Sequence, residues 1–253
     1  MRFSAFLPVL VLLPSCATQP PSRAAKTPPT PGARHADRAA PVVEHWGAMR
    51  EVLRDGHTEG RVDLAEVLGP HTVAVGASAG LAAEITVVAE TVHLAEVVDP
   101  DSAEGLRVRA PAAGEQATLL VLADVHAWSE HPLSAVSDLA ELETSVRAIA
   151  AANGIDVNEP FPFRVEGLAR DLRLHVLNHS CPIADPDGPK PWRFAGKGET
   201  AVLVGFYAKD SAGRLTHHGQ KTHTHALVAE RDISGHLDEV ALTPGARLFL
   251  PVR

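Results

Sequence analysis

The chain has 253 residues, a net charge of −8, and 45% apolar against 21% charged residues, which supports a packed core and excludes a disordered or collagen-like chain. The acidic balance and only 4% aromatic residues exclude a phosphate-backbone binder and a base-stacking platform, so no nucleic-acid partner is expected. Two cysteines, Cys16 and Cys181, are too few for a disulfide-stapled scaffold or a four-cysteine zinc module.

Residues 1–16 read as an export signal. Arg2 supplies a positive start, and the apolar run 3–13 is too short to span a bilayer. The run closes in Leu13-Pro14-Ser15-Cys16, a small residue before a cysteine, which resembles a bacterial lipoprotein cleavage site. Lipidation at Cys16 would anchor the chain on the periplasmic side of a membrane, the outer rather than the inner one, with the lipid as its sole membrane contact. Residues 17–43 hold six prolines and almost no large apolar side chain, so they read as a disordered linker. The globular domain is expected over 44–253.

Trp46, Met49, Val52 and Leu53 recur at helical spacing and predict a helix over 44–54, stopped by Asp55-Gly56. A helical turn follows at 63–68. Segments 72–76, 84–98, 105–109 and 117–125 are rich in Val, Ile and Thr and read as strands. Leu139, Leu142, Val146 and Ile149 share one helical stripe, ended by Asn153-Gly154. Further strands are expected at 163–166, 172–177, 201–207, 222–229, 236–242 and 248–252. Regular strand–helix alternation is absent, as are phosphate-loop and dinucleotide-binding motifs. The fold class is therefore α/β in α+β order: two packed halves with mixed, largely antiparallel sheets, a few helices, and a metal site in the cleft.

Histidine is the unusual residue, with 14 copies, five of them between His217 and His236. In Thr222-His223-Thr224-His225, the two imidazoles stand at i and i+2 and share one strand face. Residues 226–235 suffice for the rest of that strand, a turn and a return, which brings His236 beside them. Three neutral imidazoles with an open position suit a catalytic zinc ion, and iron, nickel or copper would accept the same set. The adjacent His217 and His218 read as an exposed loop. Glu84 opens a strand and reads equally as an edge residue or as a carboxylate completing the site. Cys181 reads as a small buried residue.

The pattern His223-x-His225, with Gly235-His236 eleven positions on, resembles the zinc site of the alpha-acetolactate decarboxylase family. The resemblance spans about 200 residues, from near Glu44 to near Leu242. Gly80-Leu81-x-x-Glu84 resembles the family's G-L-x-G-E-[LI] segment, whose glutamate is an active-site residue. Phe163-Arg164-Val165-Glu166-Gly167 resembles the strand ahead of its catalytic arginine, and Thr200 to Phe206 its E-G-T-[LI]-V-G-F strand. Two positions depart. Where the family has arginine in T-R-T-V, this chain has Leu174-His175-Val176, with Arg173 nearby, and residues 241–253 contain no acid to match a C-terminal family glutamate.

The resemblance implies a zinc-dependent carboxy-lyase that converts acetolactate, a 2-hydroxy-2-acyl acid, into acetoin and carbon dioxide. Zn2+ would sit on His223, His225 and His236. Arg173 or His175 would bind the substrate carboxylate, and Glu84 would donate a proton. Asp238, on the face of His236, would stand in for the missing glutamate or lie on the surface. The resemblance also implies a homodimer. Two alternatives stand beside it: a same-fold metal enzyme with a different substrate, and a non-catalytic periplasmic metal- or ligand-binding lipoprotein.

Overall fold

A computed structural model describes residues 40–252. The expected signal segment, its Cys16 and most of the linker lie outside the described residues. Among those described, no helix is long and apolar enough to cross a membrane.

The first half of the domain is one seven-stranded sheet. In chain order it comprises β1 (Glu44–Trp46), the short helix α1 (Met49–Leu53), β2 (Val62–Asp63), α2 (Leu64–Val67), β3 (Thr72–Ser78), β4 (Glu84–Val88), β5 (Thr91–Val97), β6 (Leu106–Arg109) and β7 (Gln116–Asp124). The strands lie in the order β1-β7-β3-β4-β5-β6, with β2 also on β7. The helix expected over 44–54 is therefore a strand and a short helix. Gly47 is the cause: its φ is +70°, and a β-carbon there would meet the Thr118 carbonyl oxygen at 2.3 Å. The strand expected over 84–98 is a hairpin. Its turn rests on Ala89 and Glu90, at φ 50° and 63°, a left-handed pair without the usual Asn or Gly. Asp63 caps α2 by accepting from the Ala65 amide at 2.9 Å.

The second half holds β8 (Trp128–Leu133), α3 (Leu139–Ala152), β9 (Phe161–Val176), β10 (Trp192–Gly196), β11 (Glu199–Tyr207), β12 (Thr222–Val228), β13 (Ile233–Leu242) and β14 (Ala246–Pro251). Strands β8 and β10 were not expected from the sequence. The two strands expected at 163–166 and 172–177 are one strand of 16 residues. On one side of β9 run β10 and then β11, whose partners Trp192↔Val176 and Tyr207↔Phe161 keep one register despite the break at Lys197-Gly198. On its other side lie β13 and β14. Strand β12 joins β11 to β13, so the pairings β9–β11, β11–β12, β12–β13 and β13–β9 close a ring. Every pairing between these named strands is antiparallel.

Inside the ring Phe163, Val165, Leu172, Leu174, Leu203 and Tyr207 are buried, and α3 adds Leu142, Val146 and Ala150 to the same cluster. Between the halves, Val73, Val75 and Val121 of the first sheet meet Val204 and Phe206 of β11. The histidines of β12 share parity with Leu227, which packs against that layer, so they too point between the halves. The fold is thus two packed, strand-dominated halves with few helices, and the three-histidine group lies where they meet.

Candidate metal centre

His223 and His225 come from β12 and His236 from β13. The register pairs His225 with His236, and His236 in turn with His175 of β9. One ring nitrogen of each of His223, His225 and His236 lies within 4.8 Å of the other two. Their ring centroids are 5.2 Å (His223–His225), 5.3 Å (His223–His236) and 5.5 Å (His225–His236) apart. All three are buried.

The opposing sheet supplies β4, whose Glu84 and Thr86 share a face. Glu84 Oε2 lies 3.6 Å from His225 Nε2, and the Leu177 amide donates to Glu84 Oε1 at 3.4 Å. Thr86 Oγ1 lies 2.9 Å from His225 Nδ1 and accepts from Ser234 Oγ at 2.8 Å. This contact ties down Nδ1 and leaves Nε2 as the ring nitrogen that faces Glu84. Among the described residues, His225 Nε2 and His223 Nδ1 are buried with no hydrogen-bond partner. Buried polar atoms rarely lack partners, and these two belong to an imidazole set suited to a divalent ion.

The electrostatics agree. Burial pushes His223 and His236 well below the usual histidine range, reinforced by their histidine neighbours. Burial, then His175 and His217, takes His225 down to about 3. The rings are therefore neutral, the form that ligates metal. Burial raises Glu84 to about 7, against the lowering effects of His175 and the Leu177 amide. A protonated carboxyl beside neutral imidazoles is what this donor set holds when no cation balances it.

The remaining expected residues divide. His175 joins the cluster, its ring 5.1 Å from His236 and its Nδ1 2.8 Å from Asp238 Oδ1. Asp238 is the residue at a register shift in β13, between Leu237 and Glu239, and such a bulge re-aims a side chain. Arg173 sits elsewhere: it is exposed, 3.5 Å from Glu239, and lines a separate groove of about 580 Å3. The reading of His217 as an exposed loop residue is corrected, whereas His218 is exposed as expected. His217 is part-buried with its ring edge-on to His236 at 4.8 Å, because Ser211 to Thr216 fold into a turn that turns it inward.

A cavity of about 180 Å3 opens on Glu84, His175, His217, His223 and His236, with Leu53, Leu119, Leu177 and Ile183 as its apolar side. Cys181 is buried in its lining. The arginine that lines this cavity is Arg193 of β10, opposite His175 in register, with Nη1 3.5 Å from Asp238 Oδ2. Sequence reasoning missed Arg193, Thr86 and Ser234. Nothing in their own segments marks them, since each acquires its partner across strands that are remote in sequence.

No protein-family model matches the sequence, and no curated protein matches it. Solved structures do share the fold. Alpha-acetolactate decarboxylase from Bacillus subtilis strain 168 superposes with a TM-score of 0.63 at 15% identity, covering 83% of this chain and 86% of that one. The acetolactate decarboxylase of Bacillus subtilis subspecies spizizenii gives 0.65 at 15% identity with the same coverage. A Staphylococcus aureus protein of unknown function, similar to alpha-acetolactate decarboxylase, gives 0.64 at 13% identity, again over 83% of this chain and 86% of that one. At these identities the likeness is one of fold.

Proposed function

We propose that the protein is a metal-dependent carboxy-lyase that takes a 2-hydroxy-2-acyl acid, with acetolactate as the type substrate, to the hydroxyketone and carbon dioxide. One observation carries the reading: buried neutral imidazoles with unpartnered nitrogens stand beside a buried carboxyl, in the fold shared with acetolactate decarboxylases. His223, His225 and His236 would hold the ion, zinc by the nature of the donor set. When bound, such an ion supplies Lewis acidity toward the carbonyl and hydroxyl oxygens of the substrate.

The chain's own groups do the rest. Thr86 fixes the His225 ring with Nε2 on the side of Glu84. Arg193 and the Asp238-oriented His175 face the cavity and receive the substrate carboxylate. When the bond to that carboxylate breaks, its electron pair passes to the neighbouring carbonyl. Glu84, buried beside the imidazoles, is the group placed to deliver a proton to the carbon. The apolar side of the cavity limits water at that step. On the pattern of residues 1–16 alone, the reading places the domain outside the cytoplasm, tethered through Cys16.

A second reading is the same metal chemistry on a different acid. It is favoured by the histidine at the family's arginine position and by the absence of any acid in β14. Acetoin release from racemic acetolactate, measured with zinc and with a chelator, tests the first reading. Chelator-sensitive turnover supports it. A folded, zinc-loaded protein that releases no acetoin overturns it in favour of another acid or of a binding role.

A further inference from the structure

Next to the histidine cavity lies a second cleft of about 280 Å3. Met49, Leu53, Ile183 and His217 line both, so the two spaces adjoin through shared side chains. Helix α1 forms one flank of the cleft and the turn ahead of His217 forms the other. They are fastened together: the Met49 amide donates to the Arg214 carbonyl at 3.0 Å, and the Arg50 amide to the Gly213 carbonyl at 2.8 Å.

The charges in the cleft are of one sign. Arg50 and Arg54 line it, one helical turn apart on the same face. No carboxylate belongs to its lining. Both arginines are exposed, and among the described residues Arg50, Arg54, Arg147 and Arg214 are the arginines without an ion pair; of these, Arg50 and Arg54 share one cleft. In a chain of net charge −8, two such arginines together on one acid-free cleft make a local site of positive charge.

We propose that this cleft is a second anion subsite, and that the acid acted on in the adjoining cavity carries a further anionic group, a carboxylate or a phosphate, at the end remote from its reacting carboxylate. The proposal rests on the second reading of the histidine cavity, as the site of the same metal chemistry on an acid other than acetolactate. Arg193 and His175 meet the first anionic group, and Arg50 and Arg54 the second, through charge-assisted hydrogen bonds that a planar guanidinium forms equally with carboxylate or phosphate.

The test is the affinity of the full-length protein for paired probes that differ only at the remote end. 2-Hydroxyglutarate is compared with 2-hydroxyvalerate, and 3-phosphoglycerate with glycerate, by calorimetry with and without zinc. Salt is held at about 0.15 M, where the Debye length is ~8 Å and long-range steering is damped. In one of the two pairs the doubly charged acid should bind about tenfold or more tightly. Which pair shows it identifies the carboxylate or the phosphate. R50Q/R54Q should bring that ratio to near one, and R50K/R54K should restore part of it. A ratio near one in the wild type for both pairs overturns the proposal, as does a ratio unchanged in R50Q/R54Q. Zinc content measured on the same samples separates the two readings. Discrimination without zinc uptake keeps the subsite and removes the metal centre; zinc uptake without discrimination does the reverse.

Discussion

His225 Nδ1 lies 2.9 Å from Thr86 Oγ1, across the boundary between two sheets whose strands are 139 residues apart in sequence. This contact orients the central imidazole, and Thr86 is itself held in place by Ser234. Thr86→Val keeps the side-chain shape and removes the oxygen. Zinc affinity should fall by about 10- to 100-fold, as measured by competition with a chromophoric chelator, with the fold retained. Thr86→Ser should recover most of the loss. Unchanged affinity in Thr86→Val would show that His225 is oriented by the backbone alone.

His223 offers a buried ring nitrogen with no partner of its own. A ligand that binds only the folded state raises stability by mass action, by about 4 kcal/mol at a thousandfold excess over Kd. Zinc should therefore raise the Tm of the wild type, and His223→Ala should abolish both that rise and turnover. A His223→Ala variant that retains a zinc-dependent Tm shift and full activity would remove the three-histidine centre.

Glu84 gives a pH dependence whose sign is fixed. Its carboxyl titrates at about 7 in the fold against 4.5 for the ordinary group, with burial as the leading cause. A group whose pKa rises on folding contributes stability that is complete below the unfolded value and is lost as pH climbs through the folded one. For chelator-treated protein, the stability of wild type relative to Glu84→Gln should thus decline between pH 4.5 and about 7, by about 3 kcal/mol. The buried histidines act in the opposite sense: His225, at about 3 in the fold, withdraws stability as pH falls below 6.5. Comparing wild type with Glu84→Gln at each pH cancels that second effect. A difference that does not vary with pH would mean that Glu84 is not held protonated.

The metal-centre residues that were legible in the sequence are those whose placement follows from strand periodicity. His223 and His225 share a face by the two-residue repeat, and the ten residues before His236 are enough for one return strand. The long helix α3 was legible for the same reason, from its 3.6-residue stripe. What could not be read arises where local preference is overridden by distant contact. Asp238 meets His175 through an irregularity in β13 that no residue type announces. The hairpin at Ala89-Glu90 lacks the usual turn residues, and Gly167 stays within β9 because β11 pairs through it without a break, at Ala201. Arg193 lies on a strand whose existence depends on the register of β9, so the cavity's arginine was sought on the wrong strand, at Arg173.

Gly235 is the residue that lets β13 approach β9 closely enough to set His236 beside His175. A β-carbon at Gly235 would stand 2.7 Å from the His175 carbonyl oxygen, 2.9 Å from Val176 Cγ2 and 3.0 Å from Leu174 Cδ1. The nearest of these is backbone within a paired ladder, so it cannot turn aside as a flexible side chain would. Gly235→Ala must move β13 away from β9, and the next residue along, His236, moves with it. The variant should lose thermal stability by about 1–3 kcal/mol, the ordinary cost of overpacking. It should also bind zinc more weakly than the stability loss alone explains, because the third imidazole is displaced from the other two. Zinc titration at a temperature where the variant remains folded separates these effects. Wild-type zinc affinity in a destabilised Gly235→Ala protein would show that the register of β13 does not position the centre.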